Sequence, residues 1–85
     1  MDVQILKDPS RRVVGAKQTL KALAKGSVAL VLMAEDADAR VTKPIEDKCI
    51  EQQVQLKKVP SMRELGAACA IQVGAAVVGI LKQDL

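Results

Sequence analysis

Val28-Ala29-Leu30-Val31-Leu32-Met33-Ala34 is an unbroken apolar run of seven residues. It is too short for an ordinary helix and rich in branched side chains, so it reads as a strand buried on both faces. Such a strand needs a helix above and below it, and the flanking sequence supplies candidates. Upstream, Arg11-Arg12-Val13-Val14 reads as a short strand ending at Gly15. Ala16, Leu20, Leu23 and Ala24 then recur at helical spacing as far as Gly26, a natural C-terminal stop. Downstream, Glu35-Asp36-Ala37-Asp38 makes an acidic loop. Thr42 is placed to cap a helix with Pro44 in its first turn, and Ile45, Cys49 and Ile50 give that helix an apolar stripe as far as Gln52 or Gln53.

The second half continues the alternation. Val54 to Val59 reads as a half-buried strand stopped by Pro60, and Ser61-Met62-Arg63-Glu64 is a capping box that opens a short helix buried through Met62, Leu65 and Ala68 or Cys69. Ala75 to Leu81 is another buried strand, and Asp2 to Lys7 reads as a short N-terminal helix. The order strand, helix, strand, helix, strand, helix, strand implies an α/β fold: a three-layer α-β-α sandwich around a mixed four-stranded sheet.

With 85 residues the chain suits a single domain spanning 1–85, and no linker or repeat divides it. His, Trp, Tyr and Phe are all absent, which removes the commonest general base, the commonest zinc ligand and every aromatic platform for stacking a base. Cys49 and Cys69 form neither a Cys-x-x-Cys pair nor a disulfide framework and read as small core residues. No phosphate-binding glycine motif or nucleophile set is present, so the sequence predicts no enzyme, no cofactor, no metal and no small-molecule substrate. The N-terminus lacks the pattern of a secretory signal, and the longest apolar stretch, Val73 to Leu81, is too short to span a bilayer; a soluble cytoplasmic protein without a membrane partner is expected.

The net charge is +3, but it is unevenly spread. Residues 1–26 hold six basic side chains against two acidic ones, whereas the rest of the chain carries seven against eight. On the helix after Gly15, Lys17, Lys21 and Lys25 fall within a sector of roughly 80°, with Gln18 adjoining. One reading is a solubilising face. The other is an anion-binding one: Gly15 lets another backbone come close, free N–H groups at a helix start attract phosphate, and Lys17 and Gln18 can reach base edges in an opened groove. A second feature is Ala70-Ile71-Gln72-Val73-Gly74, a loop in which Ile71 and Val73 are either core residues or an apolar wedge over an unstacked base.

Gly15-Ala16-Lys17-Gln18-Thr19-Leu20-Lys21, Ala34-Glu35-Asp36-Ala37-Asp38, Glu64-Leu65-Gly66-Ala67-Ala68-Cys69 and Ile71-Gln72-Val73-Gly74-Ala75-Ala76 follow one another in an order that resembles the kink-turn-binding ribosomal protein family L7Ae, with its L30e relatives, and within it the bacterial YbxF-like branch. The resemblance implies an α-β-α sandwich that binds RNA kink-turns, sharply bent elements with tandem sheared G·A pairs. It implies that Gly15, Lys17, Gln18 and Lys21 lie in the widened groove at those pairs, with Lys17 and Gln18 on the guanines. It also implies that Ile71, Gln72 and Val73 cover the bulged nucleotides and that Asp38 lies near a flipped-out base. Archaeal relatives carry Asn and Glu in place of Lys17 and Gln18, and the bacterial branch carries Lys and Gln. Lys25 joins this set as a further source of charge. The expected partner is RNA, ribosomal or riboswitch, with the ribosome as a possible assembly; the alternative is a protein-interaction module in ribosome assembly that docks through the aliphatic loop.

Overall fold

The seven-residue apolar run is strand β2 (Val28–Ala34) in the computed structural model, which describes residues 3–82. It occupies an interior place in a four-stranded sheet, order β1-β4-β2-β3, where β1 is Arg12–Val14, β3 is Gln55–Val59 and β4 is Val77–Leu81. β2 runs parallel to β3 and antiparallel to β4, and β4 is antiparallel to β1, so the sheet is mixed. The helices are α1 (Val3–Leu6), α2 (Ala16–Ala24), α3 (Ala39–Gln52) and α4 (Met62–Ala68).

Alternation along β2 divides its side chains between two cores. Val31 and Met33 meet Ala22 and Leu23 of α2 and Ile45 and Cys49 of α3; Leu32 and Ala34 meet Leu6 of α1 and Leu65 of α4. The α-β-α sandwich is therefore formed as expected. The register of β2 against β4 slips between Val28 and Leu30, leaving Ala29 exposed and returning Val28 to the same side as Val31. Both cysteines are free and buried, and burial pushes their thiols up in pKa.

Several elements differ from their sequence reading. α3 starts at Ala39, three residues before Thr42: Asp38 is its N-cap, Thr42 is buried within it and Pro44 lies in its second turn. A carboxylate at the preceding loop's end caps better than a buried hydroxyl, and Pro44, in the second turn, gives up the amide donor that would bond the Arg40 carbonyl and crowds that carbonyl with its ring. On α2 the buried side chains are Thr19, Ala22 and Leu23, while Leu20 and Ala24 are exposed; Ile50 of α3 is also exposed. β3 and β4 begin at Gln55 and Val77, later than expected. α1 covers Val3–Leu6, and Asp2 of the expected helix lies outside the described residues. The capping box is half formed: Ser61 Oγ accepts the Glu64 N–H at 3.1 Å, and the Met62 N–H donates to Asp36 Oδ1 of the acidic loop at 2.8 Å.

One of the six basic residues of the first third has a structural role. The Arg12 guanidinium donates through Nε to the Leu6 carbonyl at 2.6 Å and through Nη2 to that of Cys69 at 3.4 Å, joining β1 to the ends of α1 and α4. Satisfying the exposed carbonyls at helix C-termini in this way takes Arg12 out of the basic patch.

Candidate nucleic-acid interface

β1 turns into α2 at Gly15, whose backbone has φ 101° and ψ 151°. That combination is all but restricted to glycine and joins strand to helix through a single residue. The Gly15 N–H donates to the Val77 carbonyl at 2.8 Å, and no side chain caps α2. The first-turn amides of α2 are left as open donors at the positive end of the helix dipole. Lys17 and Gln18, in that first turn, are both exposed, and Lys21 follows one turn later. Lys25, the C-cap, lies eight residues from Lys17, about 12 Å along the axis, at the other end of the helix.

The second part of the site is the loop after α4. Ala70, with φ 60°, ends the helix in a left-handed turn. The Ile71 N–H then donates to the Gly66 carbonyl at 3.1 Å and the Ala75 N–H to the Met62 carbonyl at 3.0 Å, so both ends of the loop are bonded to α4. Its middle passes over Gly66 closely enough that any side chain there would collide with the Val73 carbonyl oxygen. The alternative left open by the sequence resolves residue by residue: Ile71 is half-buried against the α1–α4 core, whereas Gln72 is exposed and Val73 is 71% exposed.

Hydrogen bonds gather these pieces at one end of the sheet. Gly15 is bonded to Val77, and the Ala34 N–H at the end of β2 donates to the Ala76 carbonyl at 2.9 Å, so the mouth of α2, the 71–76 segment and the β2–α3 loop are neighbours. Asp38 arrives there as the N-cap of α3. Its Oδ1 accepts the Arg40 N–H at 2.9 Å, and its carboxylate pairs with the Arg40 guanidinium at 2.9 Å, which holds the Asp38 carboxyl below its ordinary pKa. These bonds place the elements that carry Gly15, Lys17, Gln18, Asp38, Gln72 and Val73 at one end of the sheet, with Lys21 one turn further along α2, Ile71 anchoring its loop from beneath and Lys25 at the far end of the helix.

Arg40 was not singled out from the sequence. Its side chain is 91% exposed, so the first turn of α3 presents a cation beside the acid of Asp38. The available signal was Asp38-Ala39-Arg40, an N-cap carboxylate with a long cationic side chain two residues on. The roles of Gly66 and Asp36 were equally hidden, since each depends on a partner distant in the chain.

Among the described residues, no helix is long and apolar enough to cross a membrane. The model for the ribosomal protein L7Ae/L30e/S12e/Gadd45 family matches residues 2–84. An RNA-binding protein of Geobacillus thermodenitrificans is 49% identical over 70 residues, 82% of this chain and 85% of that protein. RNA-binding protein YbxF of Geobacillus stearothermophilus is 47% identical over the same shares of the two chains. Among solved structures, the Giardia lamblia 15.5kD RNA binding protein superimposes with a TM-score of 0.87 at 28% identity, covering 96% of this chain and 72% of that one. A match over nearly the whole length, relatives close to half identical and a shared fold leave one assignment: the chain belongs to the ribosomal protein L7Ae/L30e/S12e/Gadd45 family.

Proposed function

We propose that this protein is a non-catalytic, cytoplasmic RNA-binding protein, ribosomal or ribosome-associated, that recognises kink-turns through their tandem sheared G·A pairs and stabilises the bent form. The observation that carries this reading is the Gly15–Val77 hydrogen bond, which ties the open, lysine-bearing start of α2 to the first residue of β4, just after the segment that carries the exposed Gln72 and Val73. One side offers cations, amides and a carboxamide to a widened groove; the other offers an aliphatic surface to bases displaced from the stack. The relatives named as RNA-binding proteins support the same partner.

In this reading Lys17 and Gln18 contact the guanines, Lys21 contacts the bases or the backbone, Lys25 adds positive charge, Ile71, Gln72 and Val73 cover the bulged nucleotides, and Asp38 lies near a flipped-out base. Bending RNA costs free energy, and a protein that binds only the bent form shifts the equilibrium by its differential affinity. The test is titration into a short duplex containing a kink-turn, labelled at both ends so that energy transfer reports bending, beside a duplex whose G·A pairs are replaced by Watson–Crick pairs. Bending is expected only in the first. Gln18→Ala is expected to remove ~1–3 kcal/mol of discrimination between the two RNAs. Equal weak binding to both, insensitive to Gln18, overturns the reading and favours docking of another protein on the aliphatic loop.

A further inference from the structure

β1 and β3 are the two edges of the sheet, and β3 is the longer. β3 pairs with β2 alone, so alternate peptide groups along it face away from the sheet. The Val59 carbonyl accepts the Glu35 N–H at 2.8 Å and so lies on the β2 side; by alternation the N–H and C=O groups of Leu56 and Lys58 point outward. Beside this edge, between α3 and β3, is a groove of about 460 Å3. Cys49, Val54 and Leu56 give it an apolar floor, and Ile50, 77% exposed, stands on its helical bank. The charges of α3 are largely paired within the helix, Lys43 with Asp47 at 3.2 Å and Lys48 with Glu51 at 3.4 Å, which leaves Glu46 as the unpaired acid of the groove. On β3 both Lys57 and Lys58 are exposed, and neither has an ion-pair partner among the described residues. Lys58 shares the face of Leu56, and Lys57 shares the opposite face with Val59.

We infer that the β3 edge takes up an extended segment of a partner protein as a fifth strand, with side chains alternately aliphatic and acidic. The outward peptide groups of Leu56 and Lys58 supply its main-chain hydrogen bonds, and the groove takes the aliphatic side chains of one face over Leu56 and Ile50. Carboxylates on the other face meet Lys57 and stay clear of Glu46, and an acid at the segment's end meets Lys58. A second copy of this chain suits the edge less well. The antiparallel pairing that uses both outward residues sets Leu56 against Lys58 and Lys57 directly opposite its own counterpart, where like charges repel. The groove is also apart from the proposed RNA interface, Ile50 lying about 18 Å along α3 from Asp38, so both surfaces can be occupied at once.

The probe is the blocked peptide acetyl-Asp-Glu-Ile-Glu-Val-Glu-Asp-amide, added to the isotope-labelled protein and followed by amide hydrogen exchange. The Leu56 and Lys58 amides are expected to exchange more slowly once the peptide is bound. Two further peptides carry N-methyl groups, one on the Ile and Val nitrogens and the other on the Glu nitrogens. One is expected to bind like the parent and the other to fail, because only one edge of an added strand faces β3. The Lys57→Glu, Lys58→Glu double variant is expected to bind the parent peptide about tenfold more weakly, and Ile50→Ser, at an exposed position, to weaken it as well. Unchanged exchange at Leu56 and Lys58, equal behaviour of the two methylated peptides, or undiminished affinity in either variant overturns the inference. So does slowed exchange at the same amides when the protein alone is concentrated, which assigns the edge to a second copy, and so does displacement of the peptide by a kink-turn RNA, which assigns the lysines to RNA.

Discussion

Gly15 and Gly66 underlie the two halves of the candidate interface, the first at the mouth of α2 and the second beneath the 71–74 loop. A Cβ added at Gly15 meets no atom within 4 Å, yet the backbone there has φ 101°. Gly66 has ordinary helical backbone, but a Cβ there would collide with the Val73 carbonyl and approach Gly74 Cα to 3.1 Å. One half is therefore shaped by local torsion in open space and the other by contact with an element it must lie against. Damage to the first should stay local, and damage to the second should spread through α4 into the core around Leu65.

The largest effect is expected from Gly66→Ala. Backbone is not a flexible side chain that can swing aside, so the loop must lift from α4 and strain its bonds to the Gly66 and Met62 carbonyls. A loss of about 3 kcal/mol, the upper part of the usual overpacking range, is expected in urea denaturation, accompanied by weaker RNA binding. Gly15→Ala should cost about 2 kcal/mol of backbone strain, with amide shifts confined to the neighbourhood of residues 14–19 and the 71–74 loop undisturbed. If the Gly15 variant is the less stable of the two, or if its perturbation spreads into α4, the contrast drawn between the two halves is wrong.

The same contrast explains how much was legible in the sequence. β2, the α4 cap and the lysines of α2 announce themselves because each rests on local pattern: an apolar run, a Ser-x-x-Glu spacing, a repeat of four residues. The inward face of α2 was harder to read, because hydrophobicity favoured Leu20 whereas packing under β4 selected Thr19, fully buried with no partner for its hydroxyl among the described residues. The start of α3 was displaced because Thr42-Lys43-Pro44 imitates a helix entry that Asp38 supplies four residues earlier. Within the site, exposed cations were readable and contacts were not. Gly66 beneath Val73, Asp36 on the Met62 amide and Arg40 on Asp38 depend on where the chain returns in space.

The smallest effect concerns the third element at this end, the β2–α3 loop, and separates it from the two glycine-shaped halves by its chemistry. Asp38 caps α3 as an ionised carboxylate, and its pKa is lowered by hydrogen bonds from the Arg40 side chain and backbone. A carboxyl whose folded pKa lies below its unfolded value of 3.8 contributes stability that is fully present above that value and is lost as pH falls through the folded pKa. Acidification below about pH 3.8 should therefore release the Arg40 amide and fray the first turn of α3, leaving the Gly15 turn and the 71–74 loop in place until the whole chain unfolds. The Arg40 amide shift followed against pH is the measurement, with Asp38→Asn as its control: asparagine is an equally good N-cap but does not titrate in this range, so the acid transition of the first turn should disappear. A midpoint at or above 3.8 for Asp38, or a transition that survives in the Asn variant, would show that the carboxylate does not hold this corner of the interface.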